Sequence, residues 1–364
     1  MSTPQLHLLK VARIEHLTND AMAISFDVPL ALRPAYRFTQ GQFISFEADI
    51  AGQTLRRSYS LCVSPAQYEL TGQLRVGIKA VAQGVFSQWI HNTLREGDAL
   101  KVLTPDGRFY SGLNTVDDAQ KLCLFAGGSG ITPILSIIRA VLAMQAHSTC
   151  TLVYGNRRMA DMMFLEELAG LKNQYLTRLH LISVLSDEPQ DIPLFHGQLD
   201  QERCLQLLST VIPHQQFDEF FVCGPAPMME ATEQALHTLG VAKEKIHIER
   251  FGVQRPKATV SRPVSGDSLT SKQEWIEIVV DGATRQVPLQ AGQSVLDAGL
   301  AAGLPLPYAC KAGVCCTCRA KVLRGTVHMD ANFTLQEAEM AQGFVLTCQS
   351  HPSSAAVCVS YDER

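Results

Sequence analysis

The sequence has no strong excess of charge of either sign, and no repeats, low-complexity runs or lipidation signals. Its formal net charge is −4 over 364 residues, which gives no support for nucleic-acid binding. Residues 1–5 lack the basic and apolar features of a signal peptide. The 11 cysteines are an odd number for a secreted disulfide framework. We therefore expect a cytoplasmic protein that binds neither membranes nor nucleic acid.

A long uninterrupted hydrophobic run is also missing. Residues 122–144 are nearly uncharged, but three glycines and Pro133 interrupt them. This pattern favours a buried strand, a turn and a buried helix over a transmembrane helix. The length of the chain predicts about two or three domains.

Cysteine is concentrated near the C-terminal end of the chain. Cys310, Cys315 and Cys318 follow a C-x4-C-x2-C pattern, and Cys348 lies further on. This spacing is typical of a plant-type [2Fe–2S] cluster. Zinc is the alternative, although zinc sites usually pair their ligands in two short knuckles and Cys348 has no near partner. Cys316 is not expected to be a ligand, because its use would leave a flanking cysteine idle.

The first third of the chain, residues 6–110, has the alternating pattern of short β-strands. The alternation is clearest in residues 23–28, 42–47 and 73–79. Several short strands separated by turn residues predict an antiparallel barrel or sandwich, here with one helix.

Two motifs in this region indicate a binding site. Arg57-Ser58-Tyr59-Ser60 begins an apolar strand, and Gly84 to Ser87 open an amphipathic helix. A glycine turn at a helix N-terminus offers free N–H groups and a favourable dipole to phosphate. The alternatives are a surface arginine and an ordinary serine N-cap.

In the middle third, strands and helices alternate, which predicts a doubly wound parallel sheet. The predicted strands are 122–126, 151–154, 180–184, 220–223 and 246–251, and the predicted helices are about 134–143, 164–171, 201–208 and 228–239. The turn after the first strand, Gly127 to Pro133, reads G-x-G-x-x-P and lies where such sheets bind pyrophosphate. Asn156, Arg157 and Arg158 follow the second strand without an acid, which favours NADP over NAD unless both arginines are only solvated.

The last part of the chain begins after a change in composition. Residues 252–273 are rich in Pro, Ser, Gly, Lys and Arg, which predicts a tether. Two strands joined at Asp281-Gly282 follow, and then a helix at 295–302 capped by Ser294. Thr334 to Glu337 form a capping-box signature, and a strand at 344–347 leads to Cys348.

The order of these motifs resembles a ferredoxin–NADP reductase module fused to a C-terminal plant-type ferredoxin, over almost the whole chain. Arg57-x-Tyr59-Ser60 and Gly84 to Ser87 match the two flavin segments of that family, and the second favours FAD. Gly127 to Pro133 matches its nicotinamide nucleotide loop. Cys223-Gly224-Pro225 matches the segment near the nicotinamide, and Glu249-Arg250-Phe251 is similar to the segment whose aromatic residue can cover the flavin.

The resemblance implies a multidomain fold. The expected domains are an FAD-binding antiparallel β-barrel at 1–113, an NADP-binding α/β domain with a doubly wound parallel sheet at 114–251, and an α+β β-grasp [2Fe–2S] ferredoxin domain at 274–364, with residues 252–273 as the linker. Cys316 departs from the family pattern, in which a small residue without a thiol is common at this position.

The resemblance also implies roles for individual residues. The expected catalytic residues are Tyr59, Ser60, Cys223 and Phe251. The expected cofactor-binding residues are Arg57, Tyr59, Ser60, Gly84, Val85, Phe86, Ser87, Gly127, Gly128, Gly130, Thr132, Asn156, Arg157, Arg158, Cys223, Gly224 and Pro225. The expected ligands of the cluster are Cys310, Cys315, Cys318 and Cys348.

The implied function is electron transfer from NADPH through FAD and the [2Fe–2S] cluster to oxygenase subunits. Stretches such as 56–60, 154–157 and 306–311 are similar to those of reductases that serve a di-iron phenylacetyl-CoA epoxidase in aerobic phenylacetate degradation. That epoxidase is the expected partner. A ring-hydroxylating oxygenase, a steroid hydroxylase or a desaturase is the alternative partner, and a zinc-binding interaction protein without redox activity is the alternative of another class.

Overall fold

The computed structural model describes residues 5–110, 119–251, 274–354 and 356–363. These residues form two compact units, one of Gln5–Phe251 and one of the described residues after 252. The predicted linker, 252–273, and the predicted domain boundary at residues 113 and 114 lie outside the described residues. No helix in the described ranges is both long enough and apolar enough to cross a bilayer.

The first unit begins with a six-stranded antiparallel sheet. Its strands are β1 (Leu6–Thr18), β2 (Ala21–Asp27), β3 (Phe43–Ile50), β4 (Gln53–Ser60), β5 (Gln73–Lys79) and β6 (Ala99–Leu103). They lie in the order β4-β3-β6-β1-β2-β5. A bridge between Leu61 and Val76 brings the two ends of this order together, which closes the sheet into the predicted barrel.

The strand predicted from the alternation in residues 23–28 is confirmed as β2, but the exposed face that alternation indicates is wrong, because both faces of β2 are buried. Ile24 and Phe26 pack inside the barrel. Ala21 and Ala23 face the other way and pack into the core of the following α/β region. The strand therefore has an apolar contact on each side.

The prediction of one helix in this region is also wrong, since two α-helices are present, α1 (Pro65–Thr71) and α2 (Val85–Thr93). The Ser64 side chain accepts a hydrogen bond from Gln67 N, and Gly72 ends α1 with a φ of 70°. These two caps and the proline at the first helical position were the available sequence signal for the missed helix.

The second part of this unit is a five-stranded sheet in which every pair is parallel. Its strands are β7 (Lys121–Gly127), β8 (Thr149–Asn156), β9 (Leu179–Leu185), β10 (Glu219–Cys223) and β11 (Ile246–Glu249), in the order β11-β10-β7-β8-β9. Its helices are α3 (Ile131–Met144), α4 (Leu165–Gln174), α5 (Gln201–Gln206) and α6 (Ala226–Thr238). The predicted doubly wound sheet is confirmed, although α3 begins three residues earlier than predicted because Pro133 is tolerated in a first turn.

The second unit contains a mixed five-stranded sheet and a two-stranded ribbon. Its strands are β12 (Glu274–Val280), β13 (Ala283–Leu289), β14 (Arg319–Arg324), β15 (Val327–Met329), β16 (Phe344–Leu346), β17 (Ser350–Pro352) and β18 (Val357–Ser360). The larger sheet has the order β13-β12-β18-β14-β16, and β15 pairs with β17. Its helices are α7 (Val295–Ala301) and α8 (Glu337–Ala341).

The N-cap of α8 differs from the prediction. The reciprocal capping box is formed by Gln336 and Glu339, and not by Thr334 and Glu337. The helix therefore begins two residues later than the pattern suggested. This shift leaves the Thr334 hydroxyl available for contacts elsewhere.

Candidate functional site

The end of β4 carries a buried hydroxyl group without a partner. Ser60 is 2% exposed, and its Oγ makes no hydrogen bond within the described residues. The neighbouring Tyr59 ring packs against Phe46 at 5.4 Å and Phe86 at 6.3 Å between ring centroids. Burial raises the pKa of Tyr59, so its hydroxyl stays neutral. An orphaned hydroxyl beside an aromatic wall fits a bound heteroaromatic ring that supplies the missing partner.

The start of α2 forms a closed glycine turn next to this wall. Ser87 Oγ accepts a hydrogen bond from Val81 N and donates one to Gly84 O, each at 3.2 Å. A Cβ on Gly84 would lie 2.5 Å from Ser87 Oγ, so the turn requires glycine. Phe86 and Ser87 are buried, whereas Val85 is exposed. A helix N-terminus of this kind fits a diphosphate.

Arg57 lies in β4, two residues before Tyr59. Its side chain is exposed, and its Nη1 donates to the backbone oxygen of Arg56 at 2.7 Å. The structure therefore joins Tyr59 to Phe86 by ring contact and leaves Arg57 at the protein surface. An exposed guanidinium retains donors for an anionic ligand.

The parallel sheet changes direction of winding between β7 and β10, and the two loops that leave these strands pack together. A Cβ on Gly130 would lie 2.1 Å from Cys223 O, and a Cβ on Gly127 would lie 2.6 Å from the Met228 sulfur. Thr132 Oγ1 donates to Ser129 O at 3.0 Å. Ligands of doubly wound sheets bind at this switch point, beyond the carboxyl ends of the strands.

The same edge of the sheet carries two groups whose charged forms are disfavoured. Burial raises the pKa of the Cys223 thiol. Glu249 lies opposite Cys223 in the register of β10 and β11 and is half-buried. Burial raises the pKa of Glu249 to about 8, and the charge of Asp106 acts in the same direction. Glu249 had no predicted role of its own, although its place at a strand end on the predicted binding edge was a usable signal.

Phe251 follows this edge directly. It lies two residues beyond the end of β11, and its ring is 38% exposed. The predicted strand 246–251 is therefore two residues too long, and the aromatic ring stands outside the sheet. An exposed ring at this place has free area to pack on a bound ligand.

The residues at the end of β8 and just after it differ in the ion pairs and hydrogen bonds that they form. Arg157 pairs with Asp161 at 3.5 Å and with Asp20 of the β1–β2 turn at 4.0 Å. Arg158 is exposed and forms no ion pair among the described residues. The amide nitrogen of Asn156 is buried without a hydrogen-bond partner in the same described part. Arg158 is thus the cation most readily available to a phosphate.

Side-chain contacts join the barrel to the nucleotide loop. A Cβ on Gly77 of β5 would lie 2.8 Å from Thr132 Cγ2 of α3. Arg75 of β5 pairs with Glu167 of α4 at 2.8 Å, and Arg139 of α3 pairs with the same carboxylate. These contacts hold the strand that neighbours the orphaned hydroxyl against the loop at the switch point.

In the second unit the four spaced cysteines come together as two pairs, Cys310 with Cys315 and Cys318 with Cys348. A hydrogen bond from Cys315 lowers the pKa of Cys310 to about 6, with backbone N–H groups acting in the same direction. A hydrogen bond from Cys318 lowers the pKa of Cys348. Over the described residues, no three His, Cys, Asp or Glu side chains converge on one ion. Two pairs of thiols fit two irons better than one zinc ion.

Three residues in the loop between these cysteines have a left-handed backbone conformation. Lys311, Gly313 and Cys316 have φ values of 51°, 78° and 54°. A Cβ on Gly313 would lie 2.9 Å from Ala331 O. The backbone N–H of Ala312 donates to the Cys310 sulfur at 3.3 Å, as expected for a loop that wraps charged sulfurs. Cys316 points to Thr334 Oγ1 at 3.0 Å instead.

The fold and these sites define the class of the protein as a flavin and iron–sulfur oxidoreductase. Three known domain families match the chain in the order of its sites. The oxidoreductase FAD-binding domain matches residues 8–110, the oxidoreductase NAD-binding domain 124–234, and the 2Fe-2S iron-sulfur cluster binding domain 278–353.

The chain belongs to the family of ferredoxin–NADP reductase modules fused to a [2Fe–2S] ferredoxin. It is 42% identical over 362 residues to a component of the 1,2-phenylacetyl-CoA epoxidase of Escherichia coli K12, and the match covers 98% of both chains. It is 31% identical over 349 residues to the ferredoxin reductase component of 3-ketosteroid-9-alpha-monooxygenase of Rhodococcus rhodochrous, covering 95% of this chain and 94% of the relative. Electrons pass in this family from NAD(P)H through FAD to the cluster.

The architecture is similar to that of a solved reductase. The alignment with the structure of phthalate dioxygenase reductase covers 98% of this chain and 98% of the reductase chain. Its TM-score is 0.60 and the sequence identity is 21%. This likeness supports the multidomain fold.

Proposed function

We propose that this protein is the reductase component of a multicomponent monooxygenase, and that it delivers electrons from NADPH to a di-iron epoxidase acting on phenylacetyl-CoA. The observation that carries the proposal is the presence of three sites in one chain, namely the orphaned Ser60 hydroxyl, the switch-point loops and the paired cysteines. The 42% identity to the phenylacetyl-CoA epoxidase component over almost the full length of both chains supports the choice of acceptor.

Residues of the barrel hold and orient the FAD in this proposal. Ser60 would donate its hydroxyl to the isoalloxazine, Tyr59 would pack on the ring, and Arg57 with the turn from Gly84 to Ser87 would bind the diphosphate. Bound FAD supplies the conversion of a two-electron hydride into single electrons, which a [2Fe–2S] cluster requires. Phe251 would cover the isoalloxazine ring.

Residues of the parallel sheet position the nicotinamide nucleotide. The turn from Gly127 to Thr132 binds the pyrophosphate, and the segment from Cys223 to Pro225 lies beside the nicotinamide. Asn156 and the two arginines after β8 bind the adenosine end, with Arg158 as the first contact of the 2′-phosphate. NADPH is therefore the proposed donor.

Residues of the second unit hold the cluster. We propose Cys310, Cys315, Cys318 and Cys348 as its four ligands, each pair on one iron. The proposed domain limits remain 1–113, 114–251 and 274–364. Oxygenase subunits are the proposed partners of the last domain.

A steroid monooxygenase is the second candidate acceptor, because a reductase of that class is 31% identical over most of both chains. The two candidates differ only in the partner. Reconstitution of the purified protein with either set of oxygenase subunits separates them, since only the true acceptor should couple NADPH oxidation to product formation.

The visible spectrum of the purified protein, recorded before and after addition of NADPH without oxygen, tests the relay itself. We expect flavin and iron–sulfur bands that both bleach. A colourless protein, or a flavin that bleaches while the four cysteines bind zinc, would show that the relay is wrong.

A further inference from the structure

A chain of hydrogen bonds links a residue outside the proposed ligand set to the cluster loop. The thiol of Cys316 donates to Thr334 Oγ1 at 3.0 Å, and this hydroxyl donates to Gly313 O at 3.5 Å. The backbone N–H of Phe333 donates to the same carbonyl at 3.1 Å. Gly313 O thus accepts two hydrogen bonds from the segment 333–334.

The accepting carbonyl belongs to a peptide group that also contacts a proposed ligand. The N–H of this peptide is on Val314, and a hydrogen bond from it is among the causes that lower the pKa of the Cys310 thiol. Hydrogen bonds in a chain polarise one another, so a loaded carbonyl strengthens the N–H donor of the same peptide. The N–H of the preceding peptide is on Gly313, and a hydrogen bond from it is among the causes that lower the pKa of the Cys348 thiol of the other pair.

The segment that carries Thr334 is itself fixed in place. Asn332 Oδ1 accepts hydrogen bonds from Thr334 N at 3.1 Å and from Leu335 N at 2.8 Å. The capping box at Gln336 leaves the Thr334 hydroxyl free of a capping role. The left-handed backbone of Cys316 is unusual for a residue with a side chain, and it aims the thiol at this hydroxyl.

We propose that Cys316 is a positioning residue for the [2Fe–2S] cluster, which acts through Thr334 on the Gly313–Val314 peptide and raises the reduction potential of the cluster. Hydrogen bonds to the sulfurs are among the factors that set this potential, because they stabilise the more negative, reduced state. The inference rests on the proposed ligand set of four other cysteines.

The test is the midpoint potential of the cluster in the holoprotein, measured by a spectroelectrochemical titration followed by EPR. Cys316→Ala removes the donor and should shift the potential to a more negative value. Cys316→Ser retains an O–H donor and should restore most of the shift. Thr334→Val removes the next hydroxyl in the chain of hydrogen bonds and should also shift the potential to a more negative value. Adding Cys316→Ala to Thr334→Val should cause no further shift.

Cys358→Ala is the matched control, because it removes a cysteine of β18 in the same domain and should leave the potential unchanged. Unchanged potentials in both Cys316→Ala and Thr334→Val would overturn the inference. Equal shifts in Cys316→Ala and Cys316→Ser would also overturn it, since side-chain packing and not donation would then matter.

The absorption bands of the cluster separate this inference from the ligand assignment. If Cys316→Ala loses the bands while Cys310→Ala keeps them, Cys316 is a ligand of the cluster. That result would overturn both the proposed ligand set and the inference on Cys316. Retention in Cys316→Ala leaves the potential as the deciding measurement.

Discussion

At the scale of single residues, the buried hydroxyl of Ser60 is the strongest support for the proposed ligand site of the barrel. A buried hydroxyl without a partner costs about 1–3 kcal/mol. Ser58, two residues before Ser60 in the same strand, avoids this cost because its Oγ lies 2.9 Å from Ser45 Oγ. Of the two serine hydroxyls in β4, the unsatisfied one is therefore that of Ser60, the proposed contact of the flavin.

Replacement of Ser60 tests this role. Ser60→Ala should lower the rate constant of flavin reduction by NADPH about 10²-fold, as for the loss of one donor aimed at a reacting group, while FAD stays bound. Anaerobic stopped-flow absorbance measures the rate. Ser58→Ala is the matched control and should change it little. A rate for Ser60→Ala equal to that of the control would contradict the assignment.

The choice between NADPH and NADH is a second residue-scale prediction. A hydrogen bond to a charged group contributes about 1.5–3 kcal/mol, so Arg158→Ala should raise the KM for NADPH roughly tenfold or more. Arg157→Ala should have a smaller effect, because Asp161 and Asp20 already share that guanidinium. Steady-state kinetics with both nucleotides measure the effect.

NADH is the internal control, since it lacks only the 2′-phosphate. Its KM should change little in either variant and in the double variant. Equal increases for both nucleotides would remove the argument for NADPH that rests on these arginines.

At the scale of secondary-structure elements, the nucleotide loop depends on how closely two strand ends approach each other. Gly130 has an ordinary negative φ of −61°, so conformational freedom does not explain the glycine. The explanation is the Cys223 carbonyl, which occupies the space that a side chain would need.

This close approach predicts that Gly130→Ala disrupts the edge formed by β7 and β10. The variant should lose most of its NADPH-dependent flavin reduction and unfold at a lower temperature. Gly170→Ala is the matched control, because nothing lies within 4 Å of the added Cβ on the exposed face of α4. It should stabilise the helix by roughly 1 kcal/mol. Thermal unfolding followed by circular dichroism distinguishes the two, and similar melting temperatures would contradict the steric argument.

Several elements differ from their sequence patterns because tertiary contacts decide their structure. Alternation could not reveal that β2 is buried on both faces, because Ala21 and Ala23 acquire their second contact only from the distant α/β core. Local signals did exist for α1, in Ser64 and Gly72, but a short helix between strands is easily overlooked. The motif at Thr334 was misassigned because its hydroxyl has a tertiary partner, Cys316, which no local pattern shows.

At the scale of the whole molecule, the order of motifs was sufficient to predict the multidomain fold and the three cofactor domains. Each cofactor requires a local sequence signature, such as the cysteine spacing or the glycine turn. These signatures can be recognised without knowledge of tertiary contacts. Contacts between distant parts were not predictable. The ion pairs of Arg75 and Arg139 with Glu167 join residues far apart in sequence, and no motif marks them.

Residues 252–273 carry the last prediction, which concerns how the whole chain works. Their composition predicts a tether, and a tether is useful because the cluster must face the flavin to receive an electron and the oxygenase to release it. Shortening the segment by half should lower product formation by the reconstituted oxygenase while NADPH-dependent flavin reduction stays normal. A Gly/Ser segment of the original length is the control and should retain turnover, because reach and not sequence is the proposed requirement. Full turnover with the shortened segment would show that a single placement of the cluster serves both transfers.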